Sequence, residues 1–122
     1  MSRLSLGLAL ALVLIVAPAL PSAFSASLDY VEGFEDLPLA PGLANRPEAG
    51  TAFDKPGGRI VVAYATGSLP KAKVEEFYRS ALPQLGWKEL KPGQYVREGE
   101  RLVIDVMTTG RTVTVRYTLS PQ

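Results

Sequence analysis

Hydrophobic and polar residues divide the chain into three regions of different pattern. From Leu4 to Ala17 nearly every residue is apolar, until Pro18 and Pro21 interrupt the run. From Leu28 to Gly50, Tyr30, Val31, Phe34, Leu37, Leu39 and Leu43 are scattered among Pro38, Pro41, Pro47, Gly33, Gly42 and Gly50. Neither a helical nor an alternating period persists there, so this stretch reads as an extended strap. Its apolar side chains are too many for a solvated linker, and the Phe34 to Leu39 segment is expected to pack either on its own domain or on a partner.

Further along, the periods are clear. Arg59 to Thr66 alternates, with Ile60, Val62 and Tyr64 on one face and the smaller Val61, Ala63 and Ala65 on the other, which predicts a strand. Gly67 and Ser68 turn the chain, and Ser68 is the expected N-cap of a helix. Val74, Phe77, Tyr78, Ala81, Leu82 and Leu85 then form one continuous apolar stripe at helical spacing, with Lys71, Lys73, Glu75, Glu76 and Arg79 on the other faces. Pro83 denies an amide to the Arg79 carbonyl and is expected to kink or end the helix near Leu82. Four short segments follow, Trp87 to Leu90, Gln94 to Arg97, Arg101 to Met107 and Thr112 to Leu119. Pro92-Gly93, Glu98-Gly99-Glu100 and Thr109-Gly110 separate them as turns.

The order β-α-β-β-β-β predicts an α+β two-layer sandwich, one amphipathic helix on a four- to five-stranded, mainly antiparallel sheet, with the strap in front. One helix covers one face. The other face would carry Val103, Asp105, Met107, Thr112, Thr114, Arg116 and Thr118, too mixed for a core and less polar than a fully solvated surface.

Length sets the scale, since 122 residues make one domain's worth of chain. The apolar run near the start, with Arg3 before it and small Ala23 and Ser25 near its end, reads as a signal peptide over residues 1–25. The alternative is an uncleaved membrane anchor. Both place the domain outside the inner membrane, in the periplasm or secreted. Residues 26–54 hold six acidic side chains against Arg46 alone, a balance of −5, whereas residues 55–122 hold eleven bases against six acids, a balance of +5. An acidic strap therefore precedes a basic domain, and the net charge near zero gives no reason to expect a nucleic-acid partner.

Candidate chemistry is sparse. The chain has no cysteine and no histidine, which removes disulfides, thiolate nucleophiles, thiolate or imidazole metal sites and the histidine-based triads. Glu35-Asp36, Glu75-Glu76 and Glu98/Glu100 are neighbouring carboxylates, but acid–nucleophile work needs two that converge on a cleft with one desolvated. Asp29, Glu32, Glu35 and Asp36 offer hard-cation oxygens in a spacing unlike an EF-hand loop. Pro56-Gly57-Gly58-Arg59 reads as a turn into a strand, not an anion loop. No catalytic, cofactor-binding or metal-binding residue is assigned.

The run Phe77-Tyr78-Arg79-Ser80-Ala81-Leu82-Pro83-Gln84-Leu85-Gly86-Trp87, the later Tyr95-Val96-Arg97-Glu98-Gly99, the closing Val113-Thr114-Val115 strand, and the strap's Glu32 to Leu43 resemble a group of small exported proteins of proteobacteria. That resemblance implies export and the α+β fold, and brings no activity, cofactor or catalytic residue. The expectation is a non-enzymatic accessory domain that binds an envelope protein through Phe34, Leu37 and Leu39 of the strap, through Val103, Met107 and Arg116 of the sheet, or through both. A small-molecule or envelope-polymer binder using a groove between helix and sheet is the second reading. A membrane-tethered subunit of an inner-membrane complex is the third.

Overall fold

The computed structural model describes residues 29–122, together with Val13 and Ile15, so the expected leader otherwise lies outside the described residues. Among the described residues, seven strands and one α-helix, besides a single 3-10 turn at Pro47–Ala49, follow in the order β1 (Leu43–Asn45), β2 (Thr51–Lys55), β3 (Gly58–Gly67), α1 (Lys71–Gln84), β4 (Lys88–Lys91), β5 (Gln94–Arg97), β6 (Glu100–Thr109) and β7 (Thr112–Pro121). All pairings are antiparallel, in the spatial order β1-β3-β7-β6-β5-β4, and β2 shares the outer edge of β3 with β1.

The α+β class with a mostly antiparallel sheet is as expected, but the sheet has seven strands, not four or five. The two additional strands come from the region read as strap. β1 pairs Leu43 with Gly67, and β2 pairs Thr51 with Val62 and Lys55 with Gly58. β2 and β3 form a hairpin around Pro56-Gly57, so the charge boundary after residue 54 falls inside a strand. Three residues cannot establish a period, and β1 gains its ladder only from a partner some twenty residues ahead.

The four C-terminal strands form by local signals. Glu98 and Gly99 have φ of 49° and 79°, the positive angles that a two-residue hairpin loop needs between Arg97 and Glu100. β6 and β7 pair over their full ten residues, from Glu100 opposite Pro121 to Thr109 opposite Thr112. β4 at the far edge reads Lys-Glu-Leu-Lys, is wholly exposed and carries a register shift, features that discourage pairing with another chain.

The helix differs from expectation at both ends. Pro70, not Ser68, is the N-cap, and its carbonyl accepts from the amides of Lys73 and Val74 without side-chain capping. Leu69 delays the start because its side chain packs beside Gly42 and Gly67. A Cβ on Gly67 would lie 2.2 Å from the Gly42 carbonyl oxygen, so only glycine lets β1 approach β3 there. At the other end α1 runs through Pro83 to Gln84. Pro83 sits in the last turn, where one lost donor is tolerable, and Gly86 at φ 88° then aims the Trp87 amide back at the Leu82 carbonyl, 3.1 Å away.

Between the sheet and α1 lies one core. Val74, Tyr78 and Leu82 of α1 meet Val61, Ala63 and Ala65 of β3, Leu102 and Ile104 of β6, and Val113, Val115, Tyr117 and Leu119 of β7. The strap completes it with Val31, Phe34, Leu37, Leu39, Ala40 and Leu43. The smaller set of β3 faces inward because the rings of Tyr78, Tyr117 and Phe34 fill the space above it. Among the described residues no helix is long and apolar enough to cross a membrane.

Candidate functional site

Two contacts fix the strap. The first is buried. The Tyr78 hydroxyl donates to the Pro38 carbonyl at 2.9 Å and accepts from the Ala40 amide at 3.2 Å. The Tyr117 hydroxyl lies 2.6 Å from it, and because Tyr78 has spent its only proton on a carbonyl, Tyr117 must be the donor. The rings of Phe34, Tyr117, Tyr78 and Phe77 continue the contact edge to face, with centroids 6.3, 5.5 and 5.0 Å apart. Burial pushes the Tyr78 phenol up to about 12. It also raises Tyr117 far above the ordinary phenol value, with Tyr78 beside it adding to the shift.

The second contact lies at the end of the helix. Arg97 on β5 donates through one nitrogen to Asp36 at 2.7 Å and to the Leu85 carbonyl at 2.9 Å, and through the other to Asp36 at 3.3 Å. Its guanidinium also lies 4.3 Å over the Trp87 ring. One side chain thus joins strap, helix C-terminus and sheet. Hydrogen bonding to Arg97 holds the Asp36 carboxyl below its ordinary value of 3.8. The Trp87 indole N–H is buried without an acceptor, and nothing among the described residues explains it.

Arg97→Lys is expected to destabilise the protein by roughly 1–2 kcal/mol at neutral pH, because lysine cannot reproduce the planar fork or the stacking. The exposed half of Asp36 limits the ionic share. A carboxyl with a lowered native pKa stabilises the fold above its ordinary value and loses that contribution as pH falls through the native one. The gap between variant and wild type, measured by urea unfolding, should therefore narrow from pH 7 to pH 3.

With the strap held this way, a groove opens between it and α1. Phe77, Ala81 and Leu85 lie one step round the helix from the buried row and are only partly covered. Pro38, Ala40 and Pro41 form the opposite wall and Leu69 contributes to the lining. The cavity measures about 750 Å³, and Lys73, Glu76, Ser80 and Gln84 supply its polar lining. That volume lies in the range of small-molecule and side-chain pockets, roughly 300–1,000 Å³.

The sequence-derived contact residues fall in two places. Phe34, Leu37 and Leu39 are 9%, 1% and 8% exposed, so in this conformation they form core and are closed to a partner. Val103, Met107 and Arg116 lie together on the opposite face of the sheet, where Arg116 donates to Asp105 at 2.9 Å. Phe53, Ile60, Val62 and Tyr64 share that face by register, though the sequence reading did not place them there. Their alternation was visible, but not which set faced inward. Among the described residues no three or more of the acidic side chains gather as metal ligands would. Asp36 of the strap acids is drawn to Arg97. No family model matches the chain, and comparisons with characterised proteins and with solved structures find no match to either.

Proposed function

We propose that this protein is an exported accessory domain that works by non-covalent contact, holding an apolar segment of an envelope protein in the groove between strap and α1. The observation that carries this reading is the groove itself. Its two apolar walls come from elements that the tyrosine pair and Arg97 hold in fixed relation, so the cleft is formed before anything binds. Lys73, Glu76, Ser80 and Gln84 offer single polar groups for orientation. The apolar leader supports export, and its retention would make the protein a tethered subunit with the same groove.

A photo-crosslinking residue in place of Ser80, used in living cells, tests this directly. A discrete adduct with one envelope protein is expected, and Ala81→Glu, which puts a charge on the groove wall, should reduce it at least about tenfold. The mass of the recovered chain reports whether residues 1–25 are removed. An adduct indifferent to Ala81→Glu, or none, counts against the reading. The groove's volume also suits a small apolar molecule, and a compound released from the wild type but not from Ala81→Glu would favour that second reading.

A further inference from the structure

The face of the sheet away from α1 is neither core nor ordinary solvated surface. Register places Phe53, Ile60, Val62, Tyr64, Val96, Val103 and Met107 on it, alternating with threonines of β7. Phe53 and Met107 are 48% and 44% exposed and stand at opposite ends of the face, separated along the strands by roughly 20 Å. The same register adds Lys55, Lys88, Lys91, Arg101 and Arg116 against a single acid, Asp105. Asp105 is taken by Arg116, and among the described residues no ion pair occupies the other four bases, all of them exposed.

The strap explains why this charge persists. It packs on the Tyr78 side of the sheet, and its one ion pair among the described residues, Asp36 with Arg97, lies there, so no strap carboxylate is paired with a base of this face. Among the described residues, Asp36 with Arg97 is the one ion pair between the −5 segment and the +5 segment, so most of the two charges is not spent on each other.

We propose that this face rests on a membrane surface of anionic lipid, with the bases among the headgroups and Phe53 and Met107 dipping into the interface. Charge complementarity selects an anionic occupant. Shape favours a lipid surface over an acidic protein. A protein partner needs pockets for its anchoring side chains, and none of the three main cavities is lined by Phe53, Val103, Met107 or Arg116. The third reaches only the corner at Thr51, Val62 and Tyr64. A fluid headgroup layer needs no pocket and conforms to the surface laid on it. The groove on α1 lies on the other side and would remain open toward a partner.

Co-sedimentation of the protein, as recovered from cells, with vesicles of phosphatidylglycerol and phosphatidylcholine or of phosphatidylcholine alone tests this. Binding is expected to the anionic vesicles only and to fall steeply between low and high salt. Each base at such a surface strengthens binding about fivefold, so Lys91→Ala with Arg101→Ala should weaken it about 25-fold. Phe53→Ser, which keeps all charges, should weaken it as well. Ala81→Glu should leave vesicle binding unchanged, so this proposal and the groove fail separately. Equal binding to both vesicle types, or no loss in the double variant, overturns the proposal. So does binding to polyglutamate without binding to anionic vesicles, which would assign the face to an acidic protein.

Discussion

Leu37→Ala is expected to cost about 2–5 kcal/mol, a large share of the stability of a domain this size. Leu37 is 1% exposed, and its strap supplies six of the twenty buried apolar residues among those described. Removing a buried isobutyl group loses its transfer free energy and leaves a cavity that α1 and the sheet, pinned by the Tyr78 and Arg97 contacts, cannot readily collapse into. Urea unfolding followed through Trp87 fluorescence should show one transition, shifted to lower urea with an unchanged slope. Trp87 suits this measurement because Arg97, stacked on its ring, is bonded to the strap through Asp36. A second transition, with far-ultraviolet signal lost at a different urea concentration, would show the strap to be a separate cooperative unit.

How much of this was readable in advance depends on whether the deciding contact is near or far in sequence. α1 and the strands from Gln94 onward announce themselves because their periods and turns lie within a few residues, as with Glu98-Gly99. β1 and β2 do not, since Leu43 and Thr51 become strand residues by meeting Gly67 and Val62. The apolar character of Phe34, Leu37 and Leu39 was plain, but not whether they would bury at home or abroad. That was decided by Tyr78, whose hydroxyl lies forty residues from the Pro38 carbonyl it binds. The same ring, with Tyr117, chose Val61, Ala63 and Ala65 as the inward set of β3. The larger Ile60, Val62 and Tyr64 were thereby left on the face with Val103, Met107 and Arg116. The groove was illegible for a similar reason, because one wall is helix and the other is a strap with no period of its own.

The direction of the hydrogen bonds at the tyrosine pair leads to unequal costs for two otherwise similar changes. Tyr78→Phe leaves the Pro38 carbonyl, the Ala40 amide and the Tyr117 hydroxyl without partners in a buried site, an expected loss of about 2–4 kcal/mol. Tyr117→Phe removes only a donor to an oxygen that keeps two other partners, so about 1 kcal/mol is expected. Equal costs would show that the protons are not arranged in this order. Alkaline pH supplies a second measure. A phenol whose native pKa is raised contributes stability fully present below the ordinary value near 10 and lost as pH climbs through the native value, about 12 for Tyr78. Each such phenol steepens the loss by about 1.4 kcal/mol per pH unit. Stability measured by urea unfolding should therefore fall between pH 10 and 11.5 in the wild type and less steeply in either variant. The double variant should keep the shallow slope due to Tyr95, which burial raises first and Glu89 second. A slope unchanged by removing both hydroxyls would place the alkaline sensitivity elsewhere in the fold.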